Sequence, residues 1–168
     1  GRSDEARRAF RSVLEIDPRH AAAWLGLAGL TASPQEELAV LTEAIAAGTD
    51  SVVVLLEAAR LESAAGRTDQ ARALLEGAAT LVPGAAVVWL ELARLEQAAG
   101  RLDPALAACR RAAEGEPANP ETALCSGRVY LARGEPARAR SHLQRAAVLG
   151  RGTPAEAEAK ALLESIAE

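Results

Sequence analysis

A glycine recurs every 34 residues through the middle of the chain, at Gly66, Gly100 and Gly134. Two alanine columns keep the same step, at Ala71, Ala105 and Ala139 and at Ala78, Ala112 and Ala146. The aligned segments read AARLESAAGRTDQAR at 58–72, LARLEQAAGRLDPAL at 92–106 and GRVYLARGEPARAR at 127–140. Columns held over three units predict one supersecondary unit, repeated so that each copy buries its apolar side against the next.

Each unit is predicted to be a hairpin of two helices. Apolar residues recur three and four positions apart before the glycine and again after it. Glycine readily adopts the left-handed conformation that ends the first helix, and Pro83 or Pro117 follows the second. Hydrophobic residues make up 49% of the chain, mostly Ala and Leu, and aromatic residues 2%. This composition favours an all-α fold with closely approaching helices.

The repeat extends in weaker form to both ends of the chain. Trp24 and Leu27 are placed like Trp89 and Leu92. In the repeat that begins at Ala21, however, the turn between the two helices is three residues shorter, and Pro34 opens the second helix. Thr153 to Glu156 forms a capping-box pattern that opens a last, polar helix, which would shield the final apolar face. We expect a single array with a leading helix at 4–18, a short repeat at 21–51, regular repeats at 52–85, 86–119 and 120–153, and a capping helix at 154–168.

This pattern resembles the tetratricopeptide repeat, whose 34-residue signature holds Trp, Leu, Gly, Tyr, Ala, Phe and Pro at set positions. The unit 86–119 carries the signature at Trp89, Leu92, Ala93, Gly100, Ala105, Ala112 and Pro117, and the next unit adds Gly127 and Tyr130. Leu55 and Ala123 stand in place of the Trp, and Cys109 fills the large aromatic position. The resemblance implies a right-handed α-solenoid of about four helical hairpins, with a leading and a capping helix, that binds ligands in a concave groove.

In this family the first helix of each hairpin lines the groove, so the resemblance implies two columns of groove residues. The fifth position of the first helices is always leucine, a leucine stripe made of Leu25, Leu56, Leu90 and Leu124. The ninth position is Gly29 and then an arginine ladder made of Arg60, Arg94 and Arg128. Because residues four apart are neighbours on a helix, the two columns share one face. We expect them to form the ligand-binding groove.

Two interpretations of the arginine ladder remain open. Arg60 and Arg94 each have a glutamate three residues earlier and could form weak ion pairs on the helix surface. Alternatively, the guanidinium groups bind carboxylates of an acidic partner while the leucines hold its apolar side chains. Arg128 favours the second interpretation, since Cys125 is its three-back neighbour.

The residues that could carry chemistry are few. His20 and His142 lie in different repeats without metal-ligand spacing, and we expect both to be solvated. Cys109 and Cys125 lack Cys-x-x-Cys spacing and are expected to be buried free thiols. Gly150–Gly152 lacks the lysine and strand of a phosphate-binding loop. We therefore predict no enzymatic activity, no cofactor and no metal.

Charge and hydropathy limit the partners. A net charge of −4 disfavours nucleic acid, and no apolar run approaches a membrane span. We expect a scaffold that binds a protein or peptide, and the second interpretation of the arginine ladder makes that partner acidic. We also expect the chain to be part of a larger bacterial protein. The sequence leaves open whether this protein lies in the cytoplasm or the periplasm. The alternatives are an accessory recruiting region of an enzyme or of a secretion or envelope assembly, and a solenoid that self-associates weakly through Phe10, Val13 and Leu14.

Overall fold

The computed structural model describes residues 1–166, which form ten helices and, within that range, no strand. The helices are α1 Arg2–Ile16, α2 Ala21–Ala28, α3 Pro34–Ala46, α4 Val52–Ala64, α5 Thr68–Leu81, α6 Ala86–Ala98, α7 Leu102–Gly115, α8 Pro120–Ala132, α9 Pro136–Leu149 and α10 Pro154–Ser165. The prediction of an all-α fold with four hairpins, a leading helix and a trailing helix is confirmed. The last two positions of the predicted capping helix, 167 and 168, lie outside the described residues.

The chain divides into two compact units, Gly1–Val82 (unit 1) and Pro83–Glu168 (unit 2). Within the described residues, unit 1 holds α1 to α5 and unit 2 holds α6 to α10. Helices that are neighbours along the chain pack together as pairs in each unit, α4 with α5 and α8 with α9 among them. The organisation of all repeats as a single array stays a prediction.

The three glycines spaced by 34 residues end the first helices of their hairpins, as predicted. Gly66, Gly100 and Gly134 have φ of 76°, 73° and 72°, a left-handed conformation that side chains disfavour. The main-chain N–H of the next residue then donates to a carbonyl five residues back, as from Arg67 to Glu62 and from Arg101 to Glu96, each at 2.9 Å. This bond pattern belongs to the Schellman motif, which satisfies carbonyls that the helix end leaves free.

Unit 1 packs around a cluster of buried aliphatic side chains contributed by α2, α3 and α4. Leu41, Ala44 and Val54 are fully buried there, and Ala28, Ala58 and Leu61 complete the cluster. The short turn before α3 is stabilised by Ser33, whose hydroxyl accepts the Glu36 N–H at 3.2 Å. Glu36 in return accepts the Ala32 N–H at 3.0 Å, so this turn needs no glycine.

Unit 2 has α8 as its most deeply buried helix. Helices α6, α7, α9 and α10 all pack against it. Eight of its thirteen residues are buried, Leu124 and Val129 completely. A helix covered from so many directions needs closely fitting partners. The small Gly127 meets Leu143 of α9 on one side, where an added Cβ would overlap the leucine side chain.

Cys109 of α7 and Cys125 of α8 form a disulfide with their Cα atoms 5.7 Å apart, so the prediction of free thiols is wrong. Cys109 lies six residues before the end of α7, and Cys125 five residues after the start of α8. In an antiparallel helix pair, residues at nearly equal distance from the turn face each other. Their separation of 16 residues along the chain therefore suits a bridge although it rules out a Cys-x-x-Cys motif.

Each unit holds one tryptophan in the same setting. The Trp24 indole N–H donates to the Pro18 carbonyl at 2.8 Å in unit 1, and the Trp89 indole N–H donates to the Pro83 carbonyl at 2.7 Å in unit 2. The indole thus ties the first helix of a hairpin to the proline before it. Across residues 1–166, none of the helices is both long and apolar enough to cross a bilayer.

Candidate functional site

A cleft of about 530 Å³ lies in unit 2 between α6, α8 and the turn that joins α7 to α8. Helix α6 contributes Val87, Leu90, Glu91, Arg94 and Gln97; the turn contributes Glu116 and Asn119; and α8 contributes Glu121, Cys125 and Arg128. The volume lies within the range of small-ligand sites. These ten residues define the cleft.

The helical period explains why α6 presents one face to the cleft and the other to the core. Residues 87, 90, 91, 94 and 97 follow one another at steps of three, one, three and three, which keeps them on one side of the helix. The other side carries Val88, Leu92 and Leu95, all buried. The cleft face is therefore built by rigid helix rather than by a loop.

Three of the seven predicted groove residues, Leu90, Arg94 and Arg128, lie together in the cleft. Leu25, Leu56 and Arg60 belong to unit 1, where Leu25 packs partly buried against the aliphatic cluster, Leu56 is half-buried and Arg60 is exposed. Their membership of a common groove stays a prediction.

Leu124 corrects one part of the predicted leucine stripe. Its side chain is completely buried, so the expectation that it contacts a ligand is wrong. The column repeats in the sequence, but α8 is covered by α9 and α10 as well as by α6 and α7. A position that is half-exposed on α6, at Leu90, is thereby enclosed on α8.

The arginine ladder is engaged in ion pairs. Arg60 bonds Glu57 at 2.7 Å, and Arg94 bonds Glu91 at 2.7 Å, each within its own helix. Arg128 pairs through two nitrogens with both carboxylate oxygens of Glu158 on α10, and its Nε lies 2.6 Å from Oε1. Arg128 has no acid three residues back, as the sequence shows, but it has an acidic partner on another helix, which removes the reason for favouring the ligand-binding interpretation. Glu158 comes thirty residues after Arg128 in the chain, so spacing within one helix does not predict this pair.

Sequence reasoning missed the polar end of the cleft, where the Asn119 side chain bonds the Glu116 carboxylate and the main chain of Glu121. The Asn119 amide donates to Glu116 at 2.9 Å and accepts the Glu121 main-chain N–H at 3.0 Å, which caps α8. Glu116 also accepts the Ala86 N–H at 3.3 Å. The Glu121 carboxylate and the Gln97 amide bond no other group in the described part of the chain.

Val87 is the apolar residue that was missed. Half of its surface is exposed, as is that of Val53, which lies 34 residues earlier in α4. Exposed valines repeating at the family period are a signal that the sequence already carried. Val87 adds exposed apolar surface to the cleft beside Leu90.

His20 is exposed, as expected, and His142 is half-buried, so the expectation of a solvated side chain needs correction for His142 alone. The His20 ring nitrogen accepts the Ala23 N–H at 3.1 Å and caps α2. His142 is half-buried and stacks on Tyr130 with 5.2 Å between ring centroids. Burial, together with Arg145 and Arg110, lowers the pKa of His142. Residues 1–166 contain no group of His, Cys, Asp and Glu side chains that could hold a metal.

Family models and solved structures resemble this chain. Two family models, both described as tetratricopeptide repeat, match residues 63–114 and 1–51. Among curated proteins, none matches. The crystal structure of MamA is 20% identical with a TM-score of 0.75, and the match covers 94% of this chain and 91% of MamA.

Two further structures show the same fold at low identity. YrrB, described as a tetratricopeptide protein with an unusual peptide-binding site, is 18% identical with a TM-score of 0.75 over 95% of this chain and 84% of YrrB. The Yersinia enterocolitica type III secretion chaperone SycD, solved with a peptide of the translocator YopD, is 23% identical with a TM-score of 0.65 over 71% of this chain and 94% of SycD. With its repeated helical hairpins and the two matching models, the chain belongs to the tetratricopeptide repeat family.

Proposed function

We propose that this chain is a protein–protein interaction module that binds an extended segment of a partner in the cleft of unit 2. The observation that supports this most is the side-by-side arrangement of apolar and polar groups on two helices. Val87 and Leu90 offer apolar surface, and Gln97 offers an amide that bonds no described residue. The chain acts by binding and not by catalysis.

An extended peptide suits this mixture of groups. Its alternate side chains point to opposite sides, so one set can lie on Val87 and Leu90 while its main-chain groups bond side-chain amides of the cleft. Because the cleft residues are held by helices and by the cap at Asn119, little ordering accompanies binding. YrrB has a peptide-binding site and SycD was solved with a bound peptide, and both support the proposal by analogy of fold.

The test is a selection of short random peptides displayed on phage against the immobilised chain. We expect binders whose affinity falls by about tenfold or more in Val87→Arg, because the substitution puts a charge on the apolar part of the cleft. Val148→Arg is the matched control, since Val148 is an exposed valine of α9 in the same unit and lies outside the cleft.

Binding measured by fluorescence anisotropy would separate the outcomes. If every selected peptide bound Val87→Arg as tightly as the unmodified chain, the cleft would not be the binding site. Loss of binding in both variants would contradict the proposal as well, since it would indicate a general effect of added charge. Circular dichroism of both variants confirms that they remain helical.

A further inference from the structure

We infer that the bound segment is basic, with a lysine or arginine side chain seated at the Glu116–Asn119–Glu121 end of the cleft. This inference rests on the proposed function and names the chemistry of the partner. It replaces the acidic partner that the arginine ladder suggested. The charges of the cleft that are not yet compensated decide which partner it favours.

The cleft contains three carboxylates and two guanidinium groups, and both guanidinium groups are compensated. Arg94 is paired with Glu91 inside the cleft at 2.7 Å. Arg128 is paired with Glu158, which belongs to α10 and is not a lining residue. An acidic ligand would meet guanidinium groups whose charge a carboxylate already balances, so it would gain less from pairing with them.

The remaining carboxylates, Glu116 and Glu121, have no cationic partner among the described residues. Glu116 accepts hydrogen bonds from the neutral Ala86 N–H and the neutral Asn119 amide. Glu121 lies half-buried in the first turn of α8, and its carboxylate accepts no bond from a described residue. Asn119 contacts both residues and so holds them at one end of the cleft. Negative charge at this end is therefore left for a ligand to neutralise.

Apolar surface lies beside the Glu116 carboxylate. The bond from the Ala86 N–H to Glu116, 3.3 Å long, brings the start of α6 against the turn between α7 and α8. Val87, half-exposed, is the next residue of α6. Lysine and arginine side chains need such a pair of surfaces, since they bury an aliphatic stem while the charged head stays at a polar site. The arrangement is complementary to a basic residue at both ends of its side chain.

The experiment extends the peptide selection on the full chain. Peptides whose binding depends on Val87 are expected to be enriched in Lys and Arg over the unselected library. Glu121→Gln should lower the affinity for these peptides by about threefold to tenfold, because one partly buried charge pair is lost. It should also reduce the dependence of affinity on salt concentration.

Glu114→Gln is the matched control, because it removes the same charge from an exposed position of α7 that pairs with Arg111 and lies outside the cleft. It should leave peptide affinity unchanged. Val87-dependent peptides without enrichment in basic residues, or peptides that bind Glu121→Gln at least as tightly, would overturn the basic segment while the proposed function stood. A selection that returned no Val87-dependent peptide would overturn both.

Discussion

Units 1 and 2 are built from the same kind of helical hairpin, yet they bury their helices to different depths. Of the described residues of α1 in unit 1, none is buried, and α2 has eight residues of which two are buried. Helix α8 of unit 2 has thirteen residues of which eight are buried, and a disulfide ties it to α7. A shared repeat pattern thus specifies helix pairs without specifying how closely they pack.

The difference arises at the contact columns of the repeat. The eighth position of the first helices is Ala28, Ala59, Ala93 and Gly127, all of which are buried. Only the last of the four lacks a Cβ, and there Leu143 fills the space. Leu41 and Leu75 share a column with Leu143, but Cys109 replaces leucine in this column and bonds Cys125 instead. Unit 2 therefore combines a close glycine contact with a covalent link, and unit 1 relies on its aliphatic cluster.

Reduction of the disulfide should produce the largest difference between the two units, because only unit 2 contains the bridge among the described residues. A bridge across 16 residues stabilises the folded state by about 3 kcal/mol through loss of chain entropy in the unfolded state. A dithiol reductant should therefore increase hydrogen exchange in α7 and α8, measured by mass spectrometry, while α2 to α4 keep their protection. The Cys109→Ala/Cys125→Ala double variant should not respond to the reductant. Unchanged exchange in α7 and α8 of the native chain would contradict the stabilising role of the bridge.

The same substitution at two helical glycines should have opposite signs in the two units. Gly127→Ala should destabilise unit 2 by about 1–3 kcal/mol, because its Cβ overlaps Leu143. Gly77→Ala, in α5 of unit 1, should stabilise by up to about 1 kcal/mol, since its Cβ would lie 3.9 Å from Leu55 and alanine favours the helix. Urea unfolding of the two variants measures both effects. Equal shifts of the same sign would show that the packing depths do not differ as described.

The smallest expected effect is a pH dependence confined to unit 2. Burial, Arg145 and Arg110 lower the pKa of His142 below its ordinary 6.5, so the unfolded chain takes up this proton at higher pH than the folded chain. The contribution of His142 to stability is then complete above pH 6.5 and is lost as the pH falls toward the lowered pKa. The substitution His142→Gln should remove this pH dependence of stability. The control substitution His20→Gln, in unit 1, should leave the pH dependence unchanged. The measurement is the hydrogen-exchange protection of α9 above and below pH 6.5, which should fall on acidification. Protection that rose on acidification would contradict the prediction.

Features that depend on neighbouring residues of the chain were predictable from the amino-acid pattern. The helix ends at Gly66, Gly100 and Gly134 follow from the conformational freedom of glycine, and the start of α3 at Pro34 follows from the geometry of proline. The pairing of Arg60 and Arg94 with glutamates three residues back was one of two open interpretations, and the structure contains both pairs. These are interactions within one or two helical turns.

Features that depend on which helix faces meet were not predictable in the same way. The burial of Leu124, the pairing of Arg128 with Glu158 and the Cys109–Cys125 bridge all join segments from different helices. A repeated column predicts the same local environment in every repeat, but Leu90 of α6 is half-exposed while Leu124, in the same column of α8, is fully buried. Composition and spacing thus specified the family and the helical hairpins, because local conformational preference encodes both. The charge that the cleft leaves uncompensated was set by packing, because ion pairs between helices form only once the helices have met.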